Sequence, residues 1–215
     1  MCAEKIDKDG QLYKVIVIGS FACGKTSIIK RFTEGVFTPN YKITIGVDFA
    51  EAQLTKNGKE ITLQLWDIAG HERFGAMTRT YYKESSAAII VFDLTREMTL
   101  HEAKKWRDDV MDKVLLPNNE HVPMILLANK CDLENQQIED EQINEFAETE
   151  GFFKWFKTSA KDNIGIDNAM NSLVDKLIEL SIEARKPKEK DTIQIQDTSL
   201  TDQKNEKKNQ KTGCC

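Results

Sequence analysis

The octapeptide Gly19-Ser20-Phe21-Ala22-Cys23-Gly24-Lys25-Thr26 sets two glycines, a lysine and a hydroxyl at the G-x-x-x-x-G-K-[ST] spacing of a loop that wraps phosphate. Successive backbone N–H groups of such a loop point inward, and the helix opening behind it adds a partial positive charge. Lys25 would reach the β and γ phosphates of a nucleotide, the Thr26 hydroxyl would bind Mg²⁺, and Ser27 follows on the helix. The alternative, a glycine-rich turn with a solvated lysine, suits a strand-to-helix junction poorly. The motif specifies phosphate and leaves the base open. Five cysteines, Cys2, Cys23, Cys131, Cys214 and Cys215, are odd in number and lack metal-ligand spacing, which implies reduced thiols.

Such a loop needs a strand before it and a helix after it. Val15-Ile16-Val17-Ile18 reads as a buried central strand, and a helix is predicted over about 24–32. An irregular stretch over 33–43 leads to alternating strands over 47–54 and 61–66, joined by Lys56-Asn57-Gly58-Lys59, a hairpin signal. Buried strands over 87–92 and 124–128 flank a helical pattern carried by Leu100, Ala103, Trp106 and Val110. Ile166, Ala169, Met170, Leu173, Val174, Leu177 and Ile178 follow the 3.6-residue period in a final helix. This βαβ alternation demands a parallel sheet covered on both faces.

The chain has 215 residues, 40% of them apolar, enough for one core and a tail. Thirty basic against 35 acidic residues give a net charge of -5, so no basic field draws the molecule to nucleic acid. The N-terminus is charged, position 2 is Cys rather than a myristoylated Gly, and no apolar run reaches bilayer-spanning length. Residues 185–215 are rich in Lys, Gln, Asn, Asp and Thr without an aromatic, and read as a disordered tail. The expected organisation is a flexible 1–11, a domain over 12–184 and the tail over 185–215.

Asn129-Lys130-Cys131-Asp132 directly follows a strand, and with Thr158-Ser159-Ala160-Lys161 it resembles the N-K-x-D and S-A-K elements of the Ras superfamily of small GTPases. The resemblance implies the G domain of that superfamily: an α/β P-loop NTPase three-layer sandwich with a six-stranded, mostly parallel sheet and five helices. Asp132 can accept both N1–H and the exocyclic N2–H₂ of guanine, a pair adenine does not offer, so GTP and GDP are the expected ligands. By the same resemblance Asn129 and Lys130 belong to the base site, and Ser159 lies beside it. The Ala160 N–H meets guanine O6, the Lys161 stem packs on the ring, and Phe37 covers its other side. Phe21, Ala22, Cys23, Gly24, Lys25, Thr26 and Ser27 would surround the phosphates.

Tyr41-Lys42-Ile43-Thr44-Ile45-Gly46-Val47-Asp48-Phe49 resembles switch I of the Rab family. Thr44 matches its switch threonine, expected on Mg²⁺ and the γ phosphate, with Tyr41 also near the nucleotide. Trp66-Asp67-Ile68-Ala69-Gly70-His71-Glu72-Arg73-Phe74 resembles switch II, in which Asp67 holds Mg²⁺ through water and the Gly70 N–H contacts the γ phosphate. Thr26, Thr44 and Asp67 are thus the expected metal set; Lys25, Thr44, Gly70 and His71 are the expected catalytic set. Phe49, Trp66 and Tyr81 match the aromatic triad that Rabs present to effectors, a role compatible with packing between strand and helix. Within the Rabs, Trp66-Asp67-Ile68-Ala69-Gly70, Val114-Leu115-Leu116-Pro117-Asn118 and Leu126-Leu127-Ala128-Asn129-Lys130-Cys131-Asp132 are similar to the subgroup of lysosome-related organelles. The resemblance covers about residues 12–182.

Three positions depart from the pattern. His71 stands where the family has the glutamine that orients the attacking water, which implies slow intrinsic hydrolysis. Phe21 and Ala22 replace positions that are Gly in much of the superfamily, and the bulk of Phe21 could obstruct an arginine finger. The competing reading is a GTP-bound scaffold that hardly hydrolyses. A metabolic P-loop phosphotransferase is disfavoured by the Asp132 motif, the switch threonine and the lack of a lid insertion.

The terminal Cys214-Cys215 resembles the double cysteine on which Rabs receive two geranylgeranyl groups. Residues 185–211 carry eight basic against five acidic side chains, which suits approach to anionic lipid. The resemblance implies an exchange factor, an activating protein, effectors, a GDP-dissociation inhibitor, and an escort protein with its transferase as partners. It places the chain on the cytoplasmic face of endosomal, lysosome-related, phagosomal or trans-Golgi membranes, with a cytosolic pool.

Overall fold

Val15-Ile16-Val17-Ile18 forms the middle of strand β1 (Gly10–Gly19), and none of the four side chains is exposed. The strand has parallel neighbours on both sides, β3 (Lys59–Ile68) and β4 (Ala87–Asp93), so both of its faces need apolar side chains. The computed structural model describes residues 10–40, 42–71 and 78–185. The remaining elements there are helices α1 (Lys25–Glu34), α2 (Thr78–Tyr82), α3 (Glu97–Lys113), α4 (Asp140–Thr149) and α5 (Ile166–Arg185), and strands β2 (Val47–Lys56), β5 (Met124–Asn129) and β6 (Lys154–Thr158). The sheet runs β2-β3-β1-β4-β5-β6, with β2–β3 the antiparallel pair. The six-stranded, mostly parallel sheet with five helices is therefore as expected.

The side-chain alternation of β1 divides the core in two. Val15 and Val17 pack with Ile28 and Ile29 of α1 and with Ala169, Met170, Leu173, Val174 and Leu177 of α5. Ile16 and Ile18 point the other way, to Leu100, Ala103, Trp106 and Val110 of α3 and Ile143 and Ala147 of α4. Each fully buried branched side chain is worth about 1.5–3 kcal/mol, so a charge at Leu173 would undo one whole layer contact.

Boundaries shift at the start of β1 and at the end of α1, while the hairpin turn falls where expected. Gly10 and Gln11, expected in the flexible N-terminus, belong to β1 and pair with Glu60 and Ile61. Thr33 and Glu34 belong to α1, which ends where Gly35 adopts φ 70° and returns its N–H to the Arg31 carbonyl. The β2–β3 turn has positive φ at both Asn57 (54°) and Gly58 (73°), as a two-residue hairpin with right-handed strand twist requires. Residues 1–9, Tyr41, the segment over 72–77 matched to switch II, and residues 186–215 with Cys214 and Cys215 lie outside the described residues.

Candidate functional site

The carboxyl ends of β1, β3, β4 and β5 open onto a cleft of about 560 Å³, the place where an open parallel sheet binds its ligand. Of the expected contacts, Phe21, Ala22, Gly24, Lys25, Thr26, Ser27, Phe37, Thr44, Gly70, Asn129, Lys130, Asp132, Ala160 and Lys161 line it. Cys23, Ser159 and Asp67 are buried behind its wall, and His71 stands exposed outside the lining.

The phosphate loop is held by its own lysine. Lys25, a residue only 6% exposed, donates from its ammonium to the carbonyls of Gly19 (3.0 Å) and Ser20 (3.2 Å). Burial draws it below its ordinary pKa, a penalty that an anion in the loop would offset. Two glycines are obligatory for space. A Cβ on Gly19 would lie 2.1 Å from the Val91 carbonyl oxygen, and one on Gly24 would lie 2.4 Å from Asn129 Nδ2.

At one end of the loop three oxygens converge. Thr26 Oγ1 lies 2.9 Å from Thr44 Oγ1, and both hydroxyls bond Asp67 Oδ2, Thr44 at 3.4 Å and Thr26 closer. Asp67 Oδ1 is buried with no hydrogen-bond partner among the described residues. Burial pushes this carboxyl above its ordinary range, against the Thr26 bond and the Lys25 charge. Two hydroxyls and an under-satisfied carboxylate fit Mg²⁺, which takes hard oxygens and completes its shell with water and phosphate. No cluster of three or more His, Cys, Asp or Glu side chains suited to a metal occurs among the described residues.

At the other end Asp132, its side chain 7% exposed, accepts from Ser159 Oγ at 2.7 Å and faces Lys161 Nζ at 3.7 Å. The Ser159 carbonyl accepts from the Ile164 N–H at 3.0 Å, which leaves the Ala160 N–H on the opposite side of the peptide. Asn129 ties this end to the phosphate loop, with Nδ2 on the Cys23 carbonyl at 2.7 Å and Oδ1 accepting from Thr158 Oγ1 at 3.3 Å. Phe37 both lines the cleft and packs on the α1/α5 core layer.

Some residues of the site carry no sequence motif. Arg31 of α1 donates from Nε to the Ala160 carbonyl (2.8 Å) and from Nη2 to the Lys161 carbonyl (2.9 Å), bracing the base loop. Leu133 adds an apolar wall beside Asp132, and Lys30 and Lys42 add positive charge at the rim. A basic residue at the sixth helix position after a phosphate-loop lysine is the available signal for Arg31; Leu133 had its position next to Asp132.

The aromatic triad is split in exposure. Phe49 is 67% exposed, whereas Trp66 and Tyr81 are half-buried against the α3 layer. Phe49 and Trp66 have ring centroids 6.2 Å apart. Lys14 seals the Trp66 face, its ammonium 3.9 Å from the ring centre and bonded to the Lys83 carbonyl at 2.8 Å.

A family model described as "Ras family" matches residues 14–179. Ras-related protein Rab-32B of Dictyostelium discoideum is 46% identical over 211 residues, 97% of this chain and 79% of that protein. Human Ras-related protein Rab-32 is 49% identical over 169 residues, 78% of this chain and 75% of its own length. Human Ras-related protein Rab-7L1 is 46% identical over 173 residues, 80% of this chain and 85% of its own.

Proposed function

This chain belongs to the Ras family of small GTPases and, within it, to the Rab proteins, and from that membership we propose a switch that cycles between GDP and GTP and recruits effectors in its GTP form. The membranes proposed for it are endosomal, lysosome-related, phagosomal or trans-Golgi, from the likeness of Trp66-Asp67-Ile68-Ala69-Gly70 and its companion motifs to that Rab subgroup. The observation that carries this reading is the presence of the Asp132 carboxylate in one cleft with Lys25 and Thr26. One end of that cleft presents acceptors suited to guanine and the other presents donors suited to phosphate.

In this reading Lys25 and the amides of residues 21–27 bind the phosphates, while Asp132, Ala160 and the stem of Lys161 select guanine over adenine. Thr26, Thr44 and Asp67 would hold Mg²⁺, which when bound supplies positive charge against the β and γ phosphates. Thr44 and the Gly70 N–H sense the γ phosphate, so its loss frees both switch loops. His71 replaces the residue that orients the attacking water, and hydrolysis is slow. A persistent GTP-bound scaffold is the second reading, favoured by the contact of His71 with Phe21.

Exchange factor, activating protein, effectors and GDP-dissociation inhibitor are the partners of such a cycle. An escort protein and transferase would deliver two geranylgeranyl groups to Cys214 and Cys215, and mass spectrometry of the chain from a eukaryotic host would read both. The test of the cycle is displacement of a fluorescent GDP by GTP and GDP but not by ATP, followed by single-turnover phosphate release. Displacement by ATP would overturn the guanine reading.

A further inference from the structure

Besides its own lysine, two side chains from other elements grip the phosphate loop, each at one carbonyl. A trans peptide sends its C=O and N–H in opposite directions, so a side chain that fixes one carbonyl also aims the next residue's N–H. Asn129 Nδ2 holds the Cys23 carbonyl at 2.7 Å and thereby sets the Gly24 N–H. Arg96 Nη2 holds the Phe21 carbonyl at 2.9 Å and sets the Ala22 N–H in the same way. Ala22 has φ 58°, a left-handed conformation that a residue with a side chain adopts at a cost and keeps only when its surroundings hold it.

Arg96 stands at the N-cap of α3, outside every nucleotide motif, and its own orientation comes from Asp93 at the end of β4. Its Nε lies 2.9 Å from Asp93 Oδ2. The Asp93 carboxylate is 1% exposed and accepts at Oδ1 from the Thr95 N–H (3.0 Å) and hydroxyl (2.7 Å). A second cation reaches Oδ2: Lys130 Nζ at 2.6 Å, from the base loop, in a residue with φ 68°. One buried carboxylate thus joins the loop that faces phosphate to the loop that faces the base.

On the guanine-nucleotide reading of the cleft, we infer that Arg96 is a positioning residue for phosphate retention: anchored on Asp93, it aims the Ala22 N–H and couples the phosphate loop to Lys130. The role needs a guanidinium. Its rigid fork spans the Asp93 carboxylate and the Phe21 carbonyl together, whereas a lysine ammonium can keep the ion pair but is a single point of donors.

The experiment loads the full chain with N-methylanthraniloyl GDP in Mg²⁺ and follows its release into excess GDP. Arg96→Lys and Arg96→Met are both expected to release about tenfold faster than wild type, the loss of one charge-assisted hydrogen bond. Wild-type release by Arg96→Lys would overturn the inference, since charge on Asp93 would then suffice. If Arg96→Met does not fold, the Ala22 amide resonance of GDP-loaded Arg96→Lys decides: a shifted resonance supports the role and an unmoved one overturns it. A wild-type chain that takes up no labelled GDP would instead bring down the nucleotide reading itself.

Discussion

Phe21 and His71 meet ring against ring, with centroids 4.6 Å apart and planes inclined by 49°. One comes from the phosphate loop and the other directly follows Gly70, whose backbone is so close that a Cβ there would lie 2.6 Å from the Phe21 nitrogen. Two of the three departures from the Ras pattern are therefore in contact. An imidazole held on a ring gives up about 0.5–1.5 kcal/mol to leave it, so Phe21 and His71 act on hydrolysis as a unit.

His71→Gln is expected to raise the single-turnover rate roughly tenfold, ~1.4 kcal/mol of barrier. Phe21→Gly should change the rate in the wild-type background and much less in the His71→Gln background, because the contact it removes is already gone. Equal effects in both backgrounds would refute the coupling.

Asp132→Asn exchanges one carboxylate acceptor for an amide donor. GTP affinity should fall by about a hundredfold or more, the cost of two charge-assisted bonds, while xanthosine triphosphate, with a carbonyl where guanine has N2–H₂, should gain. Competition against labelled GDP measures both; unchanged preference for guanine would exclude Asp132 as the base reader.

Asp93 makes stability depend on pH. Burial alone would raise its carboxyl, but hydrogen bonds from Lys130 and Thr95 and the Lys130 charge outweigh it and hold the group below the ordinary value. The unfolded chain then binds more protons near that value. The contribution is therefore fully present at neutral pH and is lost as pH falls through the depressed folded pKa. Asp93→Asn should lower the thermal midpoint by about 5 °C at pH 7, and the gap should narrow below about pH 4. A gap constant with pH would contradict this.

Gly19→Ala and Gly35→Ala separate steric from conformational cost. Both glycines have positive φ, 144° and 70°, but Gly35 has open space where a Cβ would go and Gly19 faces the Val91 backbone. Urea unfolding should give about 1 kcal/mol for Gly35→Ala and more than about 3 kcal/mol for Gly19→Ala. Similar losses would mean that the β1–β4 approach can relax.

The proposed phosphate and base loops are legible in the sequence because each is a short run whose backbone and side-chain groups come from consecutive residues, so local spacing carries the information. Asp93, Arg96 and Arg31 are not, because the loop carbonyls that Arg96 and Arg31 hold lie 75 and 129 residues away in the chain, and only the packing of β4 and α1 brings them there. Strand β6, half-exposed at the sheet edge, has neither an apolar run nor a clean alternation to announce it. Helix α4 is capped by Glu139 and Gln142, a capping box with glutamate in place of the usual hydroxyl residue, and so is easily passed over. The end of α1 was written in Gly35, whose C-cap role extends the helix past 32.

The β2–β3 hairpin is a beam clamped along its length and at both ends. β3 is registered to β1 from Glu60 to Asp67, Lys56 near the distal turn is tied to Asp175 of α5 at 2.9 Å, and the Ala69 N–H closes the near end on the Gly46 carbonyl at 2.9 Å. A beam so fixed transmits little by tilting. On the proposed switch, what Thr44 and Asp67 would sense at its near end would be expressed in the loops that leave it, while the aromatic surface at Phe49 and Trp66 would stay in place as the fixed half of a two-part recognition face.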